Sequence, residues 1–112
     1  MIQRRRSDII ATRQLAAVDE LTNSLIRNIG DQPGALELWM APRSGVPWFW
    51  LIVAPIDDDA ERSIYRQSAV VYDEVDDALF NLHIVNPRFY VDGTDPRQIV
   101  PGDARLIVAF SS

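Results

Sequence analysis

Cysteine and lysine are both absent from this sequence of 112 residues. Without cysteine, disulfides and thiolate chemistry are excluded. Without lysine, all eleven basic residues are arginine, a matter of composition more than of mechanism. Only five glycines occur, and neither GxGxxG nor GxxxxGKS is present, so the common phosphate cradles are missing. The single histidine, His83, belongs to no His-x-His or HExxH spacing, and no GxSxG turn presents a nucleophilic serine. The longest uncharged apolar run is too short to span a bilayer. After the opening MIQRRRSDII there is no apolar core with a small-residue cleavage site, so no signal peptide is read and a cytoplasmic location is expected.

What is present suits one globular domain, residues 1–112, with 1–6 read as a frayed basic end. The formal net charge of −5 is unevenly placed. Residues 1–30 carry five arginines against three acids, and residues 31–112 carry six against thirteen. An acidic body repels phosphates, so duplex nucleic acid is not an expected partner, and Arg4, Arg5 and Arg6 alone do not reverse that.

Periodicity predicts a helix over residues 8–29, capped by Ser7 or Asp8, with Ile10, Ala17, Val18, Leu21, Leu25 and Ile29 on one face and Gly30 at its stop. ALELWM (35–40) alternates as a strand with one face less buried. Pro42, Ser44, Gly45 and Pro47 mark a turn. WFWLIVAP (48–55) lacks alternation and reads as a central strand covered on both faces, antiparallel to the first. A second helix is predicted over 57–75, with Ile64, Tyr65, Ala69 or Ser68, Tyr72 and Val75 on its apolar face and Val70 and Val71 as poor helix formers near its end. ALFNLHIV (78–85) is a third strand, NPRFY opens a short helix, Pro96–Ile99 suits one more helical turn, and ARLIVAF (104–110) is a last strand. The expected fold is α+β, an α/β sandwich: one mixed sheet of about four strands with two long helices, in the order αββαβ(α)β.

Several residues could carry chemistry. Asp57, Asp58 and Asp59 have the ligand type of a hard-cation site, but their place between strand and helix favours capping. Asp76 and Asp77 fill a turn and are weighed the same way. DGTD at 92–95 lacks the spacing of a calcium loop. No metal site and no cofactor are expected. Trp48, Phe49 and Trp50 lack interleaved basic residues, so core packing or a subunit contact suits them better than base stacking.

In element order and local wording the chain resembles a minimal nucleotidyltransferase. That family has a leading helix, a strand ending in Gly-Ser, a strand carrying Asp-x-Asp, a further helix, and a third strand carrying another Asp. The resemblance implies a site where these aspartates hold the magnesium ions that orient a nucleoside triphosphate. Here LWMAPRSG (38–45) puts Ala41 and Pro42 in place of Gly-Ser, WFWLIV (48–53) puts Trp48 and Trp50 at the two Asp positions, and NLHIVNPRFY (81–90) puts Asn81 at the third. QIVPGDARLIV (98–108) is similar to the closing segment. Tryptophan does not coordinate magnesium, so the resemblance implies a degenerate site.

Two readings follow. In the first, the chain is a non-catalytic nucleotidyltransferase-like domain acting through protein–protein contact, as a homodimer or with the small helical partner that the resemblance implies, with Trp39, Trp48 and Trp50 as interface candidates. In the second, it is an enzyme or small-ligand module using a pocket around Asn81, His83, Arg88 and Tyr90, the first two sharing one strand face.

Overall fold

The turn marked by the two prolines is narrower than they suggest. The computed structural model describes residues 18–110. In it β1 (Ala35–Arg43) and β2 (Val46–Val53) form an antiparallel hairpin whose loop is Ser44 and Gly45 alone. Both loop residues take positive φ, 54° and 79°, as a two-residue type I′ turn requires. Pro42 and Pro47 lie within the strands and face each other. They are tolerated because such a loop closes on a hydrogen-bonded pair, here Arg43 and Val46. The next pair out is then one whose amides point away from the partner strand. On those outer sides the neighbouring ladders begin only at Met40 and Trp48. The first strand therefore runs past residue 40, where the sequence pattern ends it.

From β2 the chain crosses one face of the sheet as α2 (Asp58–Ala69) and α3 (Val71–Glu74), then enters β3 (Asn81–Val85), parallel to β2. The capping reading of the aspartate run is correct: Asp57 Oδ1 accepts the Ala60 amide at 2.8 Å, and Asp58 and Asp59 sit in the first turn. The single helix expected over 57–75 is broken at Val70. Two β-branched residues there crowd the preceding turn, and the Ser68 hydroxyl bonds back to Tyr65 O. The buried stripe is Ile64, Ser68, Val71 and Val75; Tyr65 and Tyr72, expected on that face, are exposed. The third strand starts at Asn81 rather than at 78. Its ladder partner before Trp48 is Pro47, which has no N–H to donate.

After β3, Asn86 caps the 3₁₀ turn Pro87–Phe89, Asp95 caps a second at Pro96–Gln98, and β4 (Arg105–Ala109) ends the described order. The sheet is β3-β2-β1-β4, a mixed four-stranded sheet with β2 inside it, and the fold is α+β. Against β1, β4 carries a bulge: Val108 faces Leu38 and Leu106 faces Trp39, leaving Ile107 without an opposite number.

The first helix, α1, is described over residues 18–29. The rest of the predicted helix, 8–17, with Ile10, Ala17 and the Ser7–Asp8 cap, lies outside the described residues, as do Arg4, Arg5 and Arg6. Leu21, Leu25 and Ile29 pack with Leu38, Phe49, Leu51 and Val53 on the helical side of the sheet. Gly30 ends α1 against the Phe110 ring. A methyl group there would sit 2.6 Å from Ile26 O and 2.8 Å from the Phe110 ring. No helix of the described residues is long and apolar enough to cross a membrane.

One carboxylate ties α1 and α3 together. Glu74 accepts from the buried Ser24 hydroxyl (2.9 Å), from Arg27 (2.6 Å) and from the Asn28 amide (3.1 Å). These hydrogen bonds, Asn28 first and then Arg27 and Ser24, hold its carboxyl below the ordinary range. Glu37 is likewise lowered, chiefly by Arg97. A folded-state pKa below the unfolded one stabilises the protein above the unfolded value, and this is lost as pH falls through the folded one. The urea midpoint should therefore drop on acidification below about pH 4.3. Glu74→Gln should give a shallower acid limb than the parent.

Candidate functional site

Alternation on β2 sends Phe49, Leu51 and Val53 to the helical side and Trp48, Trp50 and Ile52 to the other. Strand register then builds two rows across that second face. One runs Leu106, Trp39, Trp50, His83; the other runs Ala41, Trp48, Asn81. The three positions to which the resemblance assigns aspartates, Trp48, Trp50 and Asn81, thus stand together on adjacent strands. Ala41 is buried opposite Trp48, and Pro42 is an exposed mid-strand residue rather than part of a turn.

Trp50 is the best-covered member of the face, 7% exposed, packed with Ala41, Ile52, Val85 and Val100. Its cover comes from Tyr90, Val100 and Ala104, all in the segment between β3 and β4. Trp48 lies 6.3 Å from Trp50 between ring centroids, tilted by 38°, and remains 38% exposed. Trp39 is partly buried and donates its indole N–H to Glu37 Oε1 at 3.0 Å.

Arginine–carboxylate pairs frame this face. Arg43 grips Asp103 with both guanidinium nitrogens (2.7 and 2.8 Å) and holds its cation 5.8 Å from the Trp50 ring centroid. The same fork keeps the Asp103 carboxyl below its ordinary range. Arg97 Nε donates to Glu37 Oε1 at 3.1 Å, and its Nη2 donates to the other oxygen. The Glu37 side chain is only 14% exposed, so three donors from Arg97 and Trp39 satisfy a largely buried charge.

The four residues of the alternative pocket are only partly brought together. Asn81 and His83 share the face and are exposed, with no hydrogen-bond partner among the described residues. Tyr90 joins the cluster over Trp50. Arg88 is turned away: its guanidinium pairs with Asp58 at the start of α2 and lies over Phe89, 4.6 Å from the ring centroid. A groove of about 430 Å³ lies instead at the hairpin end, lined by Val18, Met40, Pro42, Gly45, Pro47, Asp103 and Arg105. Among the described residues no three histidine, aspartate or glutamate side chains gather into a metal-ligand group.

Sequence reasoning missed two features. Arg43–Asp103 and Arg97–Glu37 join residues 60 apart, which no local spacing reveals. Asn86 reads as a cap and is one, but it is also buried and bridges to Ile56 through both ends of its amide. No protein-family model, curated protein or solved structure matches this chain.

Proposed function

We propose that this chain is a non-catalytic, nucleotidyltransferase-like domain that works by protein–protein contact, in the first place with a second copy of itself. The observation that carries the reading is Trp48. It is a large aromatic side chain left 38% exposed beside Trp50 and opposite Asn81, where the resemblance has metal ligands. Aromatic side chains at the centre of a face are the usual anchors of interfaces. The small-ligand reading has less support, because Arg88 is committed to Asp58 while Asn81 and His83 stand on an open strand.

Sedimentation equilibrium tests the contact. The mass of the parent should rise with concentration, and Trp48→Arg should hold it at the monomer value, weakening association by 2 kcal/mol or more, about thirtyfold. A parent that stays monomeric, or a Trp48→Arg protein that associates equally well, removes self-association through this face. Calorimetry with magnesium and each common nucleoside triphosphate tests the other half. No heat of binding is expected, and micromolar, metal-dependent binding would overturn the non-catalytic reading.

A further inference from the structure

We infer that residues 87–104 form a detachable cover over the Trp39–Trp50 row, latched to β1 and to the start of α2 by arginine–carboxylate pairs and therefore opened by salt. The meaning of this for partner access rests on the interaction reading above; the mechanics of the cover do not.

The argument starts from topology. β3 and β4 are the two edges of the sheet, so the chain between them must cross over β2 and β1. It does so on the face opposite α1 and α2, without an α-helix and with only two 3₁₀ turns. Loops beyond about 12–15 residues without secondary structure of their own are uncommon in compact domains, and are often lids or binding loops.

The attachment is the second point. Every backbone–backbone hydrogen bond of residues 87–104, among the described residues, stays local: Phe89 to Asn86, Tyr90 to Pro87, Thr94 to Val91, Gln98 to Asp95, Ile99 to Pro96 and Ala104 to Pro101. None reaches the sheet. Val100 is the one buried apolar side chain the segment contributes, whereas Phe89 and Val91 point to solvent at 61% and 83% exposure. Beside the apolar contacts of Tyr90, Val100 and Ala104 with the Trp50 cluster, what fastens it is ionic: Arg88 to Asp58, Arg97 to Glu37 and Asp103 to Arg43. In each pair at least one side chain is more than half exposed. Such pairs lie within reach of counterions, and their attraction is screened at high ionic strength. The β1–β2 hairpin beneath is held by a backbone ladder and a packed core, which salt does not weaken in this way.

Amide hydrogen exchange on the full chain, at a concentration where it is monomeric, tests this. On going from about 0.05 M to about 1 M salt, the amides of Tyr90, Thr94, Ile99 and Ala104 should exchange faster by on the order of tenfold, while those of Trp50 and Leu51 keep their rates. A Glu37→Gln/Asp103→Asn protein should show the fast strap exchange already at low salt. Glutamine keeps the acceptor for the Trp39 indole, so the row itself is preserved. In a Trp39→Phe/Trp48→Phe background, acrylamide quenching of Trp50 should rise with salt in parallel. Strap amides that share the rate of β2 at both ionic strengths, or that are unchanged in the double variant, overturn the cover. A strap that stays shut on a protein that associates overturns the cover alone. One that opens on a protein that never associates overturns the contact alone.

Discussion

Trp50→Asp is expected to destabilise the fold by about 4 kcal/mol or more. Two losses add. The indole leaves a site only 7% exposed, where it packs with Ala41, Ile52, Val85 and Val100. Truncating a buried aromatic to a small side chain costs about 3–5 kcal/mol by itself. A carboxylate is then left in an apolar setting. The cation beside it, Arg43, is already held by both oxygens of Asp103. Small domains have about 5–15 kcal/mol in total, so a urea titration should show a protein that is largely unfolded or close to it. Trp50→Phe keeps the aromatic contact and should lose about 1–2 kcal/mol. The substitution also restores an acidic residue at a position the resemblance assigns to a magnesium ligand, and it is not expected to produce nucleotidyl transfer. Equal stability of Trp50→Asp and the parent would show that Trp50 is not a core residue.

The second large effect is expected at Asn86. Its side chain is buried, 1% exposed, and works just past the last rung of the β2–β3 ladder, Ile52 with Val85. Its amide nitrogen donates to Ile56 O at 2.8 Å, and its carbonyl oxygen accepts from the Ile56 and Arg88 amides, each at 3.3 Å. One side chain thereby stands in for the rung that the two diverging chains no longer make. Asn86→Ala strands these partners, and each buried polar group left unpaired costs about 1–3 kcal/mol. We expect a loss of about 3 kcal/mol in denaturant titrations. Asn86→Asp should fare little better, because an ionised carboxylate accepts only and would face the Ile56 carbonyl. An Asn86→Ala protein within 0.5 kcal/mol of the parent would show that water replaces the amide at no cost.

Much of the scaffold was legible because it obeys local rules. The uncovered alternation of ALELWM, the unbroken apolar run after it and the Asp57 cap each reflect a period or a position, and each reappears in β1, β2 and α2. The errors lie where one neighbour overrides a local preference. Pro42 and Pro47 are turn residues by type, yet pairing in a register that needs no amide keeps them in strands. Tyr65 and Tyr72 also fit the helical period, but the stripe that packs is the neighbouring one, Ile64, Ser68, Val71 and Val75. The site divides the same way. Alternation alone puts Trp48 with Trp50, and Asn81 with His83. The need to cover a second apolar face follows from WFWLIV. That the cover is Tyr90, Val100 and Ala104, and that Arg88 turns to Asp58, depends on contacts between distant segments and has no signature in spacing.

The bulge in β4 bears on how far any association can go. With Ile107 unmatched, Ile107 and Val108 both pack into the helical-side core, and the strand is out of step with a regular ladder. A strand that dimerises edge to edge must offer evenly spaced amides and carbonyls, and this one does not. The other edge, β3, is only Asn81–Val85, and its last two residues are buried. Copies that joined the β4 edge of one to the β3 edge of the next could go on adding indefinitely, whereas copies that meet through a broad face consume that face in a single two-fold encounter. The misfit of one residue at Ile107 thus acts against growth of that kind.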